Sequence, residues 1–186
     1  MEKGKLVVLS GPSGSGKGTI LTEFLKGNED VFLSISATTR SPRYDEKDEV
    51  NYYFIGKKEF KDLIETDGIL EHAKYCENYY GTPRKQVFKK LDEGKDVILE
   101  IEVQGALQVK EKCPEAVLVF VMPPSVEELE ARLKGRGTED EETVAKRLET
   151  AISEMEHLDK YDYVIVNDTV SAAIEKLEEI FLDIKK

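Results

Sequence analysis

The sequence is poor in the residues that build disulfide frameworks and structural metal sites. Its 186 residues include no tryptophan, and the only cysteines and histidines are Cys76, Cys113, His72 and His157. Two cysteines are too few for a disulfide framework or a four-ligand zinc site, so we expect two reduced thiols in a cytoplasmic protein. We expect both histidines to be structural or exposed rather than catalytic.

Positive charge and long apolar runs are also scarce. The chain carries 27 lysines and arginines against 38 aspartates and glutamates, which gives a net charge of −11. This excess of acid argues against a protein that coats nucleic acid or an anionic membrane, because both need a basic face. No apolar run approaches the length of about 18 residues that spans a bilayer. The stretch Met1–Lys5 lacks the apolar core of a signal peptide. A small phosphate ligand is still allowed, because a few well-placed cations can hold it.

The sequence does contain short β-branched runs that alternate with longer amphipathic stretches, a pattern that predicts a parallel α/β sheet. The predicted strands are Lys5–Leu9, Val31–Ile35, Val97–Ile101, Ala116–Val121 and Tyr163–Val166. One predicted helical stripe consists of Val144, Leu148, Ile152 and Met155, and another of Val170, Ile174, Leu177, Phe181 and Ile184.

Local signals mark three helix starts. Capping boxes predict one helix that begins after Ser125 and another that begins after Thr138. Pro83 is predicted to be the first helical residue after a Thr82 cap.

Two stretches interrupt the alternation. Residues 38–90 hold most of the tyrosines and three short segments that could pair antiparallel, namely Tyr52–Ile55, Gly68–Tyr75 and Asn78–Gly81. Residues 133–142 contain Gly135 and Gly137 before a run of acids and are interpreted as a loop that leads into a helix. We therefore predict a core formed by residues 1–37, 91–124 and 156–186, an insertion at 38–90 and a lid region at 125–155.

The clearest chemical motif is a glycine-rich turn between a predicted strand and a predicted helix. It runs from Gly11 to Thr19 with the sequence Gly-Pro-Ser-Gly-Ser-Gly-Lys-Gly-Thr. Glycines let backbone amides approach phosphate oxygens, and the helix that begins near Lys17 adds its N-terminal N–H groups. The Lys17 ammonium can then reach the β- and γ-phosphates, so the motif predicts a nucleoside-triphosphate site. Since Gly18 separates the lysine from Thr19, no hydroxyl stands at position 18 to ligate Mg²⁺.

The insertion offers a second group of phosphate ligands. Arg40 and Arg43 lie three residues apart beside Pro42, where a rigid turn can bring both guanidinium groups together. Tyr52 and Tyr80 can add hydroxyl donors. The alternative is a solvated basic loop with tyrosines in the core.

Taken together, these motifs resemble those of the guanylate kinase family over nearly the whole chain. The matching segments are Gly11–Thr19, Ser36–Arg43, Glu71–Ala73, Asn78–Thr82, Glu100–Gly105, Gly135–Thr138 and Val166–Asp168. The resemblance implies an α/β P-loop three-layer fold with a parallel central sheet, a mixed α/β GMP-binding insertion at 38–90 and a helical lid.

The resemblance also implies roles for individual residues at two nucleotide sites. The residues implied for ATP are Gly11, Pro12, Ser13, Gly14, Ser15, Gly16, Lys17, Gly18, Thr19, Arg132, Asn167 and Asp168. Those implied for the phosphate of GMP are Arg40, Arg43, Tyr52 and Tyr80, and those for guanine are Ser36, Glu71, Thr82 and Glu100. The catalytic residues implied for phosphoryl transfer are Lys17, Arg43, Arg136 and Arg147. Thr19 and Glu102 are candidate Mg²⁺ contacts, through water.

The acids assigned to the base fit the chemistry of guanine. Guanine presents adjacent N1–H and N2–H donors that a carboxylate accepts as a pair, whereas N1 of adenine is unprotonated and repels a carboxylate. Glu71 and Glu100 should therefore select guanine. Alternatively, Glu71 is an exposed strand acid and Thr82 only caps a helix.

Glu100 and Glu102 alternate along a predicted strand, so we expect them to face one side at its carboxyl end, where parallel sheets bind ligands. Because the family usually has aspartate at the position of Glu102, the choice between a contact to Mg²⁺-bound water and a contact to the base stays open. Gly135 and Gly137 could permit closure of the lid over the transferring phosphate. The alternative for Arg132 and Arg147 is an ion pair with glutamates of their own helices.

The resemblance implies Mg²⁺-dependent transfer of the ATP γ-phosphate to GMP, and to dGMP, in purine nucleotide metabolism. The products would be ADP and GDP, formed without a covalent intermediate by a cytoplasmic monomer or small homo-oligomer. One alternative is a noncatalytic guanylate-kinase-like interaction module, against which the intact phosphate loop argues. A second is a kinase for another nucleoside monophosphate, against which Glu71 and Glu100 argue.

Overall fold

The computed structural model of the chain describes residues 2–135 and 140–186. The chain divides into two units, and each of them draws on several segments. The first unit comprises Met1–Leu6, Asp30–Leu99 and Gln104–Ala116, and the second comprises Val7–Glu29, Glu100–Val103 and Val117–Lys186. None of the helices in the described ranges is long and apolar enough to cross a membrane.

Strands and helices alternate along most of the chain. The strands are β1 (Leu6–Ser10), β2 (Val31–Leu33), β3 (Ala37–Thr38), β4 (Tyr53–Phe54), β5 (Ile69–Tyr75), β6 (Asn78–Pro83), β7 (Asp96–Glu100), β8 (Val117–Met122) and β9 (Tyr163–Val166). The α-helices are α1 (Lys17–Lys26), α2 (Lys57–Glu65), α3 (Arg84–Asp92), α4 (Val103–Lys112), α5 (Val126–Lys134), α6 (Glu141–Met155) and α7 (Val170–Asp183), and a short 3₁₀ turn covers Leu158–Lys160.

The second unit is built on parallel strands. β8 pairs parallel with β1 on one side, in the register Val7↔Val117, and with β9 on the other. Leu6–Leu9 of β1 and all of β8 read as unbroken apolar runs, because β1 is buried throughout and β8 over most of its length. Helices α1 and α7 pack together through Phe24 and Phe181, whose ring centroids lie 5.2 Å apart.

A smaller apolar cluster joins α5 and α6 within the same unit. Leu129 and Leu133 of α5 pack against Val144 and Ala151 of α6, with Leu148 at the margin. This cluster positions the helix that carries Arg132 and the helix that carries Arg147.

The first unit contains a parallel pair and a mixed sheet. β2 pairs parallel with β7, and the mixed sheet has the strand order β4-β3-β6-β5. Strands β5 and β6 form an antiparallel hairpin, and β6 is also antiparallel to β3. Helix α2 covers this sheet through Phe60, which is fully buried and packs against Ala37 and Ile69.

These observations confirm the predicted α/β class and its parallel sheet. All five predicted strands of that sheet form, with ends that differ by up to two residues. The Ser125 cap is also confirmed, because the Ser125 hydroxyl accepts a hydrogen bond from the Glu128 N–H at 3.1 Å. The division into core, insertion and lid stays a prediction.

Four local predictions are wrong. The segment around β4 pairs parallel with β3, not antiparallel, because a long excursion between these strands returns the chain in the same direction. Pro83 precedes α3 in an extended conformation, since it still pairs with Ile69 of β5. Helix α6 begins after an Asp140 cap, and Thr138 lies outside the described residues. Ile152 is exposed, because Ala151 takes the buried position on that turn.

Candidate functional site

The phosphate loop follows the carboxyl end of β1 and leads directly into α1. Gly11 and Gly16 have φ values of 142° and 92°, in the left-handed region that favours glycine. A β-carbon on Gly11 would stand 2.0 Å from the Val121 carbonyl oxygen, so this position also needs the missing side chain. No side chain in the described residues caps the N-terminus of α1. The amides of its first turn are therefore available to an anion.

The Lys17 ammonium lies across this loop. Its Nζ donates hydrogen bonds to the carbonyl oxygens of Gly11 at 2.5 Å and Pro12 at 3.1 Å. The side chain is only half-buried, so the charge lies within reach of a ligand from solvent. These contacts place a positive charge at the mouth of a loop that offers backbone amides, which suits a polyphosphate.

Two arginines of the second unit contact groups near this loop. Arg147 donates from Nη1 to the Ser13 hydroxyl at 3.3 Å, which brings α6 to the phosphate loop. Arg132 forms an ion pair with Glu128 on its own helix at 2.9 Å and also donates to the backbone oxygen of Asn167 at 3.1 Å. The intrahelical ion pair given as the alternative for Arg132 is therefore present. Arg136, predicted to be catalytic, lies outside the described residues.

The loop after β9 reaches the phosphate loop through one residue. Asn167 is buried and donates from its side-chain amide to the Ser15 carbonyl oxygen at 2.7 Å. Asp168, its neighbour in the ATP prediction, is exposed to solvent. The two predicted residues therefore occupy different surroundings.

Carboxyl groups gather beside Lys17 after the end of β7. Glu100 ends that strand and is exposed, and a β-carbon on Gly18 would stand 3.8 Å from its Oε1. Reduced hydration by the surrounding protein raises the pKa of Glu100, an effect that the Lys17 charge opposes and the Glu102 charge reinforces. Glu102 is exposed and lies just beyond the end of β7. The alternation of side chains along a strand therefore does not determine which way the Glu102 side chain points.

Sequence reasoning missed a third acid in this group. Glu154 of α6 is half-buried, and its burial together with the nearby Glu102 carboxylate raises the pKa of Glu154 to about 7. Burial likewise raises the pKa of Tyr161 to about 12, and its hydroxyl is hydrogen-bonded to Ser10. Glu154 lies 52 positions after Glu102 and comes near it only in the folded chain, so no sequence pattern indicates this pair.

In the first unit, Glu71 and Thr82 form one buried polar pair. The Thr82 hydroxyl donates to Glu71 Oε1 at 2.7 Å across the β5–β6 hairpin. Glu71 is 5% exposed, and burial raises the pKa of its carboxyl while the Thr82 hydrogen bonds and the Lys112 charge lower it. Glu71 is therefore no exposed strand acid, and Thr82 caps no helix. Ser36, also predicted to contact guanine, is half-buried in the segment before β3, where its carbonyl oxygen accepts the Tyr53 N–H.

A second group of first-unit residues surrounds Arg40. Its guanidinium lies 5.2 Å from the centroid of the Tyr52 ring and 5.7 Å from that of Phe54. The Tyr52 ring meets the Tyr80 ring edge-on at 6.2 Å. The structure therefore brings together three of the four residues predicted for the phosphate of GMP. The fourth, Arg43, has an exposed side chain.

Sequence reasoning also missed the acid that holds Arg40. Both terminal nitrogens of the guanidinium donate to the Glu46 carboxylate at 2.6 Å, and the Arg43 backbone N–H donates to the same carboxylate at 2.8 Å. These hydrogen bonds lower the pKa of Glu46 to about 2 and raise the pKa of Arg40 above its usual range. Arg40 and Arg43 thus converge on Glu46, one through its side chain and the other through its backbone.

We predict that Glu46→Gln weakens the site predicted for the phosphate of GMP without disturbing the rest of the protein. An amide cannot accept two hydrogen bonds from a guanidinium as a carboxylate does, so Arg40 loses its fixed orientation. We expect the KM for GMP to rise about tenfold and the KM for ATP to change less than twofold. Steady-state kinetics against Glu59→Gln, an exposed acid on α2, provide the comparison. An unchanged KM for GMP would show that Glu46 does not orient Arg40.

The site offers few protein ligands for a metal ion. Within residues 2–135 and 140–186, no three or more histidine, cysteine, aspartate or glutamate side chains form a group that could hold a metal. Thr19 in the first turn of α1 and Glu102 are both exposed oxygen donors. This donor set fits Mg²⁺, which is usually held by substrate phosphates, water and one or two protein oxygens rather than by a complete protein cage.

A phosphate loop between a parallel strand and a helix, with Lys17 across it, defines a P-loop nucleotide-binding protein. The family model described as guanylate kinase matches residues 3–184. Guanylate kinases of Caldanaerobacter subterraneus and Clostridium perfringens are 52% and 53% identical to the chain, each over 97% of it and over 88% and 83% of their own lengths. The crystal structure of guanylate kinase from Anaplasma phagocytophilum has a TM-score of 0.76 at 35% identity, and the match covers 98% of this chain and 86% of that one. The chain therefore belongs to the guanylate kinase family of phosphotransferases.

Proposed function

We propose that the protein transfers the γ-phosphate of ATP to GMP, giving ADP and GDP. The observation that carries this proposal is the intact phosphate loop, with Lys17 held 2.5 and 3.1 Å from two loop carbonyls, in a chain of the guanylate kinase family. The same observation argues against a noncatalytic interaction module, which would have no need for a lysine in this position.

The acceptor residues lie mainly in the first unit. Arg40, Tyr52 and Tyr80, which contact one another, would bind the GMP phosphate together with the exposed Arg43. Glu71, with Ser36, Thr82 and Glu100, would read the base. A buried carboxylate accepts the N1–H and N2–H donors of guanine as a pair, whereas adenine would leave its charge unpaired.

The donor residues lie in the second unit. The loop amides from Gly11 to Thr19 would bind the triphosphate of ATP, and Arg132, Asn167 and Asp168 would complete that site. Phosphoryl transfer depends on positioning and charge neutralisation rather than on covalent chemistry. We therefore assign this work to Lys17, Arg43, Arg136 and Arg147.

We further propose that Mg²⁺ accompanies ATP, with water-mediated contacts to Thr19 and Glu102. The ion would neutralise charge on the donor phosphates. dGMP would also serve as an acceptor, because none of the assigned base and phosphate contacts involves the ribose 2′-hydroxyl. We place the reaction in purine nucleotide metabolism in the cytoplasm, carried out by a monomer or small homo-oligomer without nucleic-acid or membrane partners.

A coupled assay of ADP release tests this function directly. The wild-type protein with ATP and Mg²⁺ would be offered GMP, dGMP, AMP, CMP, UMP and dTMP in turn. We expect kcat/KM for GMP to exceed that for AMP by at least about tenfold, because the acidic base site rejects an unprotonated N1. Preference for AMP would overturn the assigned specificity. Absence of turnover with every acceptor, despite ATP binding, would favour the interaction module.

A further inference from the structure

Asn167 is fixed between the parallel sheet and the phosphate loop. It follows β9 directly and is 4% exposed. Its backbone N–H donates to the Met122 carbonyl at the end of β8 at 2.8 Å, which extends the parallel pairing of these strands. The residue is therefore held by the sheet, and its side chain has little freedom to move toward a ligand.

The side-chain amide of Asn167 is committed to the phosphate loop. Its Nδ2 donates to the Ser15 carbonyl oxygen at 2.7 Å. The Ser15 hydroxyl is buried and has no hydrogen-bond partner within the described part of the chain, so it does not anchor the residue. The Ser15 N–H donates to Pro12 inside the loop at 3.1 Å. The hydrogen bond from Asn167 therefore links the Ser15 backbone to structure outside the loop.

Holding the Ser15 carbonyl also fixes the next amide. In a trans peptide the C=O and N–H bonds point in opposite directions, so the Gly16 N–H points away from Asn167. Gly16 then turns the chain into α1 with a φ of 92°. A β-carbon on Gly16 would stand 2.3 Å from Asn167 Nδ2, so the approach of this amide leaves no space for a side chain.

The same residue also contacts helix α5. The backbone oxygen of Asn167 accepts a hydrogen bond from Arg132 Nη2 at 3.1 Å, and Arg132 Nε is bound to Glu128 at 2.9 Å. The guanidinium of Arg132 is thus held by one contact on its own helix and by one on Asn167. Displacement of Asn167 would disturb both the loop and this arginine.

We propose that Asn167 is a positioning residue, which orients the phosphate loop through the Ser15 carbonyl and serves the triphosphate of the donor rather than its adenine. The identification of the donor as ATP rests on the proposed function. This inference replaces the direct ATP contact assigned to Asn167 above with a contact to the phosphate loop, because the residue is only 4% exposed and its Nδ2 donates to the Ser15 carbonyl oxygen.

The test compares a nucleotide with a ligand that has no base. Asn167→Asp replaces the donor with a carboxylate that repels the Ser15 carbonyl, and Asn167→Ala removes the hydrogen bond without adding charge. Binding of ATP and of inorganic tripolyphosphate would be measured by calorimetry, and the KM for GMP by steady-state kinetics. We expect both variants to weaken ATP and tripolyphosphate by the same factor, about tenfold or more, with the KM for GMP within about twofold.

Asn28→Asp is the matched control, because its side-chain amide also donates to a backbone carbonyl, that of Phe24, at 2.8 Å in the same unit. It should lower the melting temperature without weakening tripolyphosphate. Loss of ATP binding with tripolyphosphate unaffected would show that Asn167 contacts the base, which would overturn the inference. Unchanged binding of both, or an equal loss of GMP, would overturn it as well. Tripolyphosphate binding needs no turnover, so it tests the inference even if the assay with GMP contradicts the proposed reaction.

Discussion

Replacing Lys17 with alanine is expected to lower kcat with ATP and GMP by about a thousandfold or more, while GMP still binds with nearly unchanged affinity. The ammonium is held across the phosphate loop by the Gly11 and Pro12 carbonyls. Its charge is therefore held in advance beside the loop amides that would bind the donor phosphates. Removal of such a preorganised charge typically costs several powers of ten in rate. Stopped-flow or coupled assays measure kcat, and calorimetry measures GMP binding.

Two further variants make this prediction specific. Lys26→Ala removes an exposed lysine of the same helix, which is paired with Glu23, and should leave kcat unchanged. Lys17→Arg keeps the charge but replaces a compact ammonium with a planar fork, so we expect only partial recovery of activity. If Lys17→Ala reduced GMP affinity as strongly as it reduced kcat, the assignment of donor and acceptor phosphates to separate groups of residues would be wrong.

Glu71→Gln is expected to raise the KM for GMP by about a hundredfold and to change the KM for ATP by less than twofold. The Glu71 carboxylate is buried, and its Oε1 accepts a hydrogen bond from the Thr82 hydroxyl. Each oxygen of a carboxylate can accept more than one hydrogen bond, so the group can still accept from guanine. Glutamine keeps the shape but presents an NH₂ group to the N1–H and N2–H donors of guanine. Two donors then face each other, and the pair of hydrogen bonds is lost.

The same substitution should stabilise the free protein. Burial raises the pKa of Glu71 above its ordinary value of 4.5, so the folded state binds a proton at this carboxyl more tightly than the unfolded state does. The charged form therefore costs stability above the folded pKa, and this cost vanishes as the pH falls below 4.5. Neutral glutamine carries no such cost. We expect Glu71→Gln to melt above the wild type at pH 8, with a smaller difference at pH 5, in calorimetry without nucleotide.

Glu77→Gln provides the control for both measurements, because Glu77 is an exposed acid at the turn of the same hairpin. It should alter neither the KM for GMP nor the pH dependence of melting. If Glu71→Gln raised the KM for GMP and the KM for ATP by the same factor, the assignment of Glu71 to the guanine base would be wrong. A lower melting temperature at pH 8 would mean that the Thr82 hydrogen bond contributes more to stability than the buried charge removes.

The sequence predicted the parts of the fold that local patterns encode. Leu6–Leu9 of β1 and the whole of β8 are apolar without interruption, since strands buried on both faces leave no polar alternation. The phosphate loop was predicted for a similar reason, because its glycines and Lys17 lie within nine consecutive residues. The Ser125 cap depends on a residue three positions away, and it too was predicted correctly.

The contacts that sequence reasoning missed join residues that are distant along the chain or carry no distinctive pattern. Glu46 lies six residues after Arg40 in an exposed loop that contains several acids. Nothing in the local sequence indicates which of these acids pairs with that arginine. Asn167 donates a hydrogen bond to Ser15, which lies 152 positions away along the chain. The carboxyl groups of Glu154 and Glu102 come close to each other only in the folded chain. A helical repeat identifies apolar positions but does not indicate which polar residue beside them faces a charged group.

The ordered Arg40 side chain has a thermodynamic consequence for the proposed binding of the GMP phosphate. A free arginine samples many rotamers, and a ligand that fixes it must offset the lost side-chain entropy. Here the guanidinium is held by the Glu46 carboxylate and lies over the Tyr52 and Phe54 rings, and the side chain is only 15% exposed. That loss of rotamer entropy has already occurred during folding. A phosphate bound there as proposed would meet an ordered cation, so more of its interaction energy would appear as affinity.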